Sequence, residues 1–125
     1  MLLDTHALIW FTEGNDRLSL KARLEIENSS NVKFLSIASL WEIVIKTSKD
    51  KLELNQSFEE INNFLVVNNI QLIGIEITHL NTLLTLPRHH NDPFDRLLIS
   101  QAITENLTII SADQHFKAYP VTAVW

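Results

Sequence analysis

Four carboxylates could carry chemistry in this sequence: Asp4, Glu42, Asp95 and Asp113. Like charges repel, so a fold that gathered these four would do so around a hard divalent cation. Each residue also has a plainer reading. Asp4 directly follows the apolar pair Leu2-Leu3. In open α/β sheets, functional groups collect beyond the carboxyl ends of strands, near the point where strand order reverses. Asp4 would serve equally well as the N-cap of a helix starting at Thr5 or His6. Asp113 stands just past Ile109-Ile110, where it could cap a turn through Gln114 and Phe116. If the first and fourth strands are neighbours, it would instead face Asp4.

Glu42 lies in the apolar run Leu40-Trp41-Glu42-Ile43-Val44-Ile45, with Lys46 four residues on. A surface Glu–Lys pair at that spacing is worth only ~0.2–0.5 kcal/mol. The apolar flanks, however, leave Glu42 a narrow window of solvent. Asp92 and Pro93 together are a start signal for a helix. Asp92 therefore reads as a structural N-cap, and Asp95 falls at the third helical position, where a carboxylate suits the helix dipole without any ligand. Two aspartates exceed what one helix start needs, so a role for Asp95 elsewhere stays open. Arg96 could anchor Asp92 or meet a substrate phosphate, and Ser111 could hydrogen-bond a metal-bound water.

Other chemistries find less support. No cysteine occurs, which excludes disulfides, thiolate metal sites and cysteine nucleophiles. His89 and His90 are adjacent and point in different directions, with no zinc-type H-x-x-x-H or H-E-x-x-H spacing. His6, His79 and His115 read as turn or surface residues. Nucleophile-elbow, Walker and dinucleotide-binding patterns are absent, and Asp4-Thr5-His6 breaks the Asp-x-Asp of haloacid dehalogenase-like phosphatases. A phosphate-acceptor signalling domain would want an acceptor Asp at a middle strand end and a nearby Lys. Here the third strand ends in Ile75-Glu76-Ile77, and no Lys follows the fifth.

The positioning elements read as alternating strands and helices. Short strands are expected at Leu2–Asp4, Val32–Leu35, Leu72–Ile75, Leu107–Ile110 and Val121–Val124. Helices are expected from His6 to Glu13, ending at Gly14, and through Leu20, Leu24 and Ile26 with Ser19 as cap. A third follows Ser36, and Ser57 with Glu60 forms a capping box before Ile61. Two more run from Thr78 to Leu86, ended by Pro87, and onward from Pro93. Strands separated by helices imply parallel pairing with right-handed crossovers. Two glycines in the chain leave few left-handed turns, which disfavours a fold of many hairpins.

With 125 residues, 46% apolar and 20% charged, the chain suits one globular α/β domain spanning residues 1–125. No apolar run approaches the ~18 residues that a membrane span needs, and no secretory leader opens the chain. A cytoplasmic protein without membrane association is expected. The net charge of −5 argues at first against nucleic acid. A divalent ion held by four of these carboxylates would reverse the local sign, so acidity does not decide the partner.

The segments Leu2 to Trp10, Ser39-Leu40-Trp41-Glu42-Ile43, Asp92-Pro93-Phe94-Asp95-Arg96-Leu97-Leu98-Ile99-Ser100-Gln101-Ala102 and Ser111-Ala112-Asp113 resemble the PIN domain, in particular the VapC-type toxins of bacterial toxin–antitoxin pairs. The resemblance spans essentially the whole chain. It implies a five-stranded parallel sheet of order 3-2-1-4-5 flanked by helices. It also implies a Mg²⁺- or Mn²⁺-dependent ribonuclease, a homodimer, and inhibition by a cognate antitoxin protein. By position, Asp4, Glu42, Asp95 and Asp113 become the first to fourth acidic residues of that family. Ser111 takes the place of its usual Thr, keeping the hydroxyl, and Asp92 matches a metal role less securely. RNA contacts would fall to Lys46, Lys49, Lys51 and Arg96. A catalytically silent binding module on the same fold is the alternative. Trp10, Phe11, Trp41 and Trp125 would fill the core or meet a partner.

Overall fold

The computed structural model describes residues 1–125. Five short strands, β1 (Leu2–Leu3), β2 (Lys33–Ser36), β3 (Ile70–Ile73), β4 (Ile109–Ile110) and β5 (Ala123–Val124), form one sheet. Its order is β3-β2-β1-β4-β5, and every neighbouring pair is parallel. The chain moves outward from β1 through β2 to β3, then crosses back to place β4 on the other side of β1. Strand order therefore reverses at β1.

Register decides which side chain faces which layer, because successive strand residues point to opposite faces. Leu3 is aligned with Leu35 and Ile110, and Leu2 with Phe34 and Ile109. On one face, Leu3, Leu35 and Ile110 pack with Ala7, Leu8 and Phe11 of α1 (Thr5–Thr12), Ile26 of α2 (Leu20–Glu27), Ile43 of α3 (Ile37–Ser48) and Ile61 and Leu65 of α4 (Phe58–Val67). On the other, Leu2 and Ile109 pack with Leu98, Ile99 and Ala102 of α6 (Pro93–Glu105) and with Phe116 and Tyr119. Between β3 and α6 runs α5 (Ile77–Thr85), and Gln114–Ala118 form a 3₁₀ turn.

Local start signals account for most helix boundaries. Ser19, Ser36 and Ser57 each accept a backbone N–H of the first turn, and Ser57 with Glu60 completes a reciprocal capping box. Gly14 sits at φ +62°, just beyond α1, where a side chain would be strained. The third strand starts two residues earlier than the apolar run Leu72–Ile75 suggests. Asn69, at φ 52°, turns the chain directly from α4 into Ile70, and a short polar side chain tolerates that left-handed conformation. Its edge position leaves Leu72 exposed.

His79 is a correction to the surface reading. It is fully buried on α5, accepts from Glu76 N at 3.0 Å through Nδ1, and meets Glu105 Oε1 of α6 at 2.8 Å through Nε2. Spacing gave no sign of this, because its partner lies a helix away. The aromatics divide: Phe11 is core, Trp10 and Trp125 meet edge-on against it, and Trp41 is 58% exposed, touching Phe94.

Candidate functional site

The reversal point at β1 is where the acidic residues gather. Asp4 N donates to Ile110 O at 3.1 Å, continuing the β1–β4 ladder by one residue. The Asp4 carboxylate then accepts Ala7 N at 2.6 Å, so this residue caps α1 while standing at a strand end. The cap reading of Asp4 holds, and the residue also stands at the strand end where functional groups collect. Ser111 follows β4 on the adjacent strand. Its hydroxyl accepts Asp113 N at 3.0 Å, leaving its own proton free for the Asp4 carboxylate beside it. Burial raises Asp4 above the usual carboxylate range, and the bonds from Ser111 and Ala7 offset only part of that.

Glu42 arrives from α3. It is 3% exposed, so the apolar flanks do close around it. One oxygen accepts the Thr5 hydroxyl and the other the Lys46 ammonium. The Glu–Lys pair exists, but its acidic half is buried rather than on the surface. Burial draws the Lys46 ammonium down, and the bond and charge of Glu42, then the charges of Asp92 and Asp95, more than reverse it, leaving its pKa raised.

Asp95 comes from the first turn of α6. Asp92 accepts Phe94 N and Asp95 N, which accounts for capping and leaves the Asp95 carboxylate unspent. Burial lifts the Asp95 pKa to about 8, with the charges of Asp92, Glu42, Asp4 and Asp113 adding to it in that order. That response locates all four other carboxylates within electrostatic reach of a single group. Asp113 caps the 3₁₀ turn by accepting His115 N at 2.8 Å. Burial pushes its carboxyl up, but bonds from His115 N, His90 and the His115 ring outweigh this and hold it below the usual range.

Two sequence expectations change here. Arg96 neither anchors Asp92 nor faces a substrate phosphate. It is buried, and its guanidinium donates to Leu86 O at 3.1 Å and Pro87 O at 2.8 Å. Lys46 is engaged by Glu42 rather than standing free for RNA. Lys49 caps the end of α3 through its backbone and, like Lys51, is exposed beyond the acidic cluster's helix positions.

A model of the PIN domain family matches residues 1–121. The chain belongs to the PIN domain family. It is similar along its whole length to "Ribonuclease VapC22" of Mycobacterium tuberculosis (strain ATCC 25618 / H37Rv), 26% identical over 132 residues that cover 100% of this chain and 98% of that protein. Its fold is like that of the solved VapBC2 from Rickettsia felis, bound to a DNA fragment from their promoter. The TM-score is 0.75 at 21% identity, covering 98% of this chain and 96% of the other.

Within this PIN domain, three residues contribute that sequence reasoning did not assign. Thr5 holds Glu42. His90 Nε2 lies 2.7 Å from Asp113 Oδ2 and 3.1 Å from Asp95 Oδ2. Tyr119 Oη accepts His89 N and His90 N and donates to Pro87 O at 2.9 Å. Adjacency to Asp4 is the one local signal that could have exposed Thr5; the other two act across the fold.

Proposed function

We propose that this PIN domain is a Mg²⁺- or Mn²⁺-dependent endoribonuclease, the toxin of a type II toxin–antitoxin pair, with Asp4, Glu42, Asp95 and Asp113 as its working residues. The observation that carries this reading is the convergence of acids where strand order reverses: Asp4 ends β1, Asp113 follows the adjacent β4, and Asp113 and Asp95 both lie within 3.1 Å of His90 Nε2. A cluster in which carboxylates outnumber cations fits a hard cation that keeps part of its water shell. When bound, such an ion supplies charge for a phosphoryl oxygen and lowers the pKa of a coordinated water.

Asp4, Asp95 and Asp113 would hold the ion. Asp4 is fixed by Ala7 N, and Asp113 by His115 N. Glu42, locked between Thr5 and Lys46, binds or orients the attacking water. With an ion bound, the water would add to phosphorus, giving up its proton to a neighbouring carboxylate or to solvent, while the ribose oxygen on the far side would leave and take a proton from solvent. The name of the relative from M. tuberculosis, a ribonuclease, supports RNA as substrate.

A protein antitoxin is the expected partner, in keeping with the VapBC2 neighbour, and a homodimer the expected assembly. No helix is long and apolar enough to cross a membrane, and the absence of cysteine suits a reducing cytoplasm. Incubation of purified protein with total RNA, with and without Mg²⁺, followed by end mapping of products, tests the reading. Discrete metal-dependent cuts are expected. No cleavage of any RNA, alongside tight binding of a partner protein, would instead identify a silent binding module on the PIN fold.

A further inference from the structure

The loop Leu86–Asn91, between α5 and α6, is short, exposed over most of its length, and yet tied at nearly every peptide. Arg96 takes the carbonyls of Leu86 and Pro87. Tyr119 takes the amides of His89 and His90 and returns its own proton to Pro87 O. Both anchoring side chains are buried, so a surface loop is braced from below. The residue this bracing presents to the acidic pocket is His90.

The ring of His90 has one defined orientation. Asp92 N donates to its Nδ1 at 3.1 Å. A ring nitrogen that accepts carries no proton, so the imidazole proton sits on Nε2. That Nε2–H donates to Asp113 Oδ2 at 2.7 Å, and Asp95 Oδ2 lies 3.1 Å from the same nitrogen. Donor atoms of His90, Asp113 and His115 lie within 4.8 Å of one another, a spacing that could suggest an imidazole metal site. The tautomer argues otherwise. To ligate through Nε2, His90 would have to move its proton to Nδ1, where it would collide with the Asp92 N–H.

We propose that His90 is a positioning residue rather than a metal ligand: its Nε2–H, hydrogen-bonded to Asp113 and 3.1 Å from Asp95, keeps the carboxylate from the end of β4 beside the one from α6, where both can serve a shared cation. The proposal rests on the acidic cluster being a metal site. The Asp113 oxygen that accepts from His90 keeps a second lone pair, so this bond leaves both carboxylates able to coordinate. Arg96 and Tyr119 act one step further out, by fixing the loop that carries the ring. This gives the buried Arg96 a role that neither capping nor phosphate binding supplies. Partners of this kind, behind the groups that touch a metal, commonly govern affinity by about 10–100-fold.

Three measurements test it on the full chain. In wild-type protein without metal, long-range ¹H–¹⁵N NMR of the histidine rings should show His90 with its proton on Nε2; a proton on Nδ1 overturns the proposal whatever the variants do. Calorimetric titration with Mn²⁺ should show His90→Ala weakened by about 10–100-fold, with His90→Gln, whose amide N–H reaches a similar position, recovering most of the loss. Wild-type affinity in His90→Ala overturns it. Pulsed EPR of bound Mn²⁺ should show no directly coordinated nitrogen; a coordinated nitrogen that disappears in His90→Gln would make His90 a ligand and overturn it too. If wild-type protein itself fails to bind Mn²⁺, the metal-site reading beneath falls and takes this proposal with it. Loss confined to the His90 variants, or its absence there, bears on His90 alone.

Discussion

The acidic pocket has two walls built on different principles. One consists of Asp4 and Glu42, both almost wholly buried and held by groups on regular elements: the α1 backbone, Thr5, Lys46 and Ser111. The other consists of Asp95 and Asp113, more open to solvent, with the ring of a loop histidine against both. The first wall is partly neutralised by a cation, Lys46; the second receives a ring N–H, that of His90. Rigid elements therefore fix the deep pair, and a braced loop lies against the shallow pair, which is the more open to solvent. A site divided this way combines a fixed floor with a rim whose spacing depends on tertiary contacts.

Breaking the deep wall should have the largest effect. Asp4→Asn keeps an oxygen that can accept Ala7 N, so the α1 cap and the fold should survive. The lost charge should reduce Mg²⁺-dependent RNA cleavage by on the order of a thousandfold or more, the scale of several kcal/mol that a well-held divalent ion contributes to charge stabilisation. Circular dichroism checks the fold and a gel assay the cleavage. Full activity in preparations free of host nuclease would remove Asp4 from the site.

The bracing of the shallow wall comes next. Arg96→Lys retains the charge but loses the planar fork that reaches Leu86 O and Pro87 O together. With buried acceptors left short of donors, a destabilisation of about 2 kcal/mol is expected in chemical denaturation. Accelerated hydrogen exchange in residues 86–91 should accompany it. Unchanged exchange there would mean the loop is held by Tyr119 alone.

These two walls were unequally legible in the sequence. Asp4, Asp92 and Ser57 announce themselves because capping is a local event, settled within three residues. Asp4, Asp95 and Asp113 could be named as candidates from their places after strands and at a helix start, Glu42 from its apolar flanks, and the alternation of strands and helices gave the parallel class. The register of β3 was not legible, since a left-handed Asn69 rather than hydrophobicity starts the strand. Nor were the roles of His79, His90, Arg96 and Tyr119, whose partners lie 26, 23, 10 and 32 residues away. Residue type says that a buried polar group needs a partner, whereas only packing says which.

The pH response separates the acids by sign, and the division cuts across both walls. Asp95 and Asp4 have raised pKa values in the folded, metal-free chain. For such a carboxyl the folded state binds more protons than the unfolded one, so stability is fully present below the unfolded value near 3.8 and drains as pH rises towards about 8. Asp113 is lowered, so its contribution is present at higher pH and is lost only as acid protonates it. Metal-free protein should therefore melt lower at pH 8.5 than at pH 6.5, each kcal/mol appearing as about 4 °C. Saturating Mg²⁺ should reverse the trend, because bound metal favours the ionised acids. Asp95→Asn should flatten the metal-free curve; a slope as steep as wild type would place the titrating charge elsewhere.

The smallest effect gives the sharpest contrast between the walls. Lys46 sits on Glu42 in the metal-free chain and lies within reach of Asp92 and Asp95, so it occupies electrostatic space that a divalent ion would claim. Its own side chain is partly exposed, and screening keeps the competition modest. Lys46→Met, which retains most of the aliphatic stem, should therefore tighten Mn²⁺ binding by about threefold in calorimetry. Loss of His90 should act in the opposite direction. Weakened binding in Lys46→Met would mean that Lys46 organises Glu42 for the metal instead of competing with it, and the two walls would then be held for their cation by the same logic.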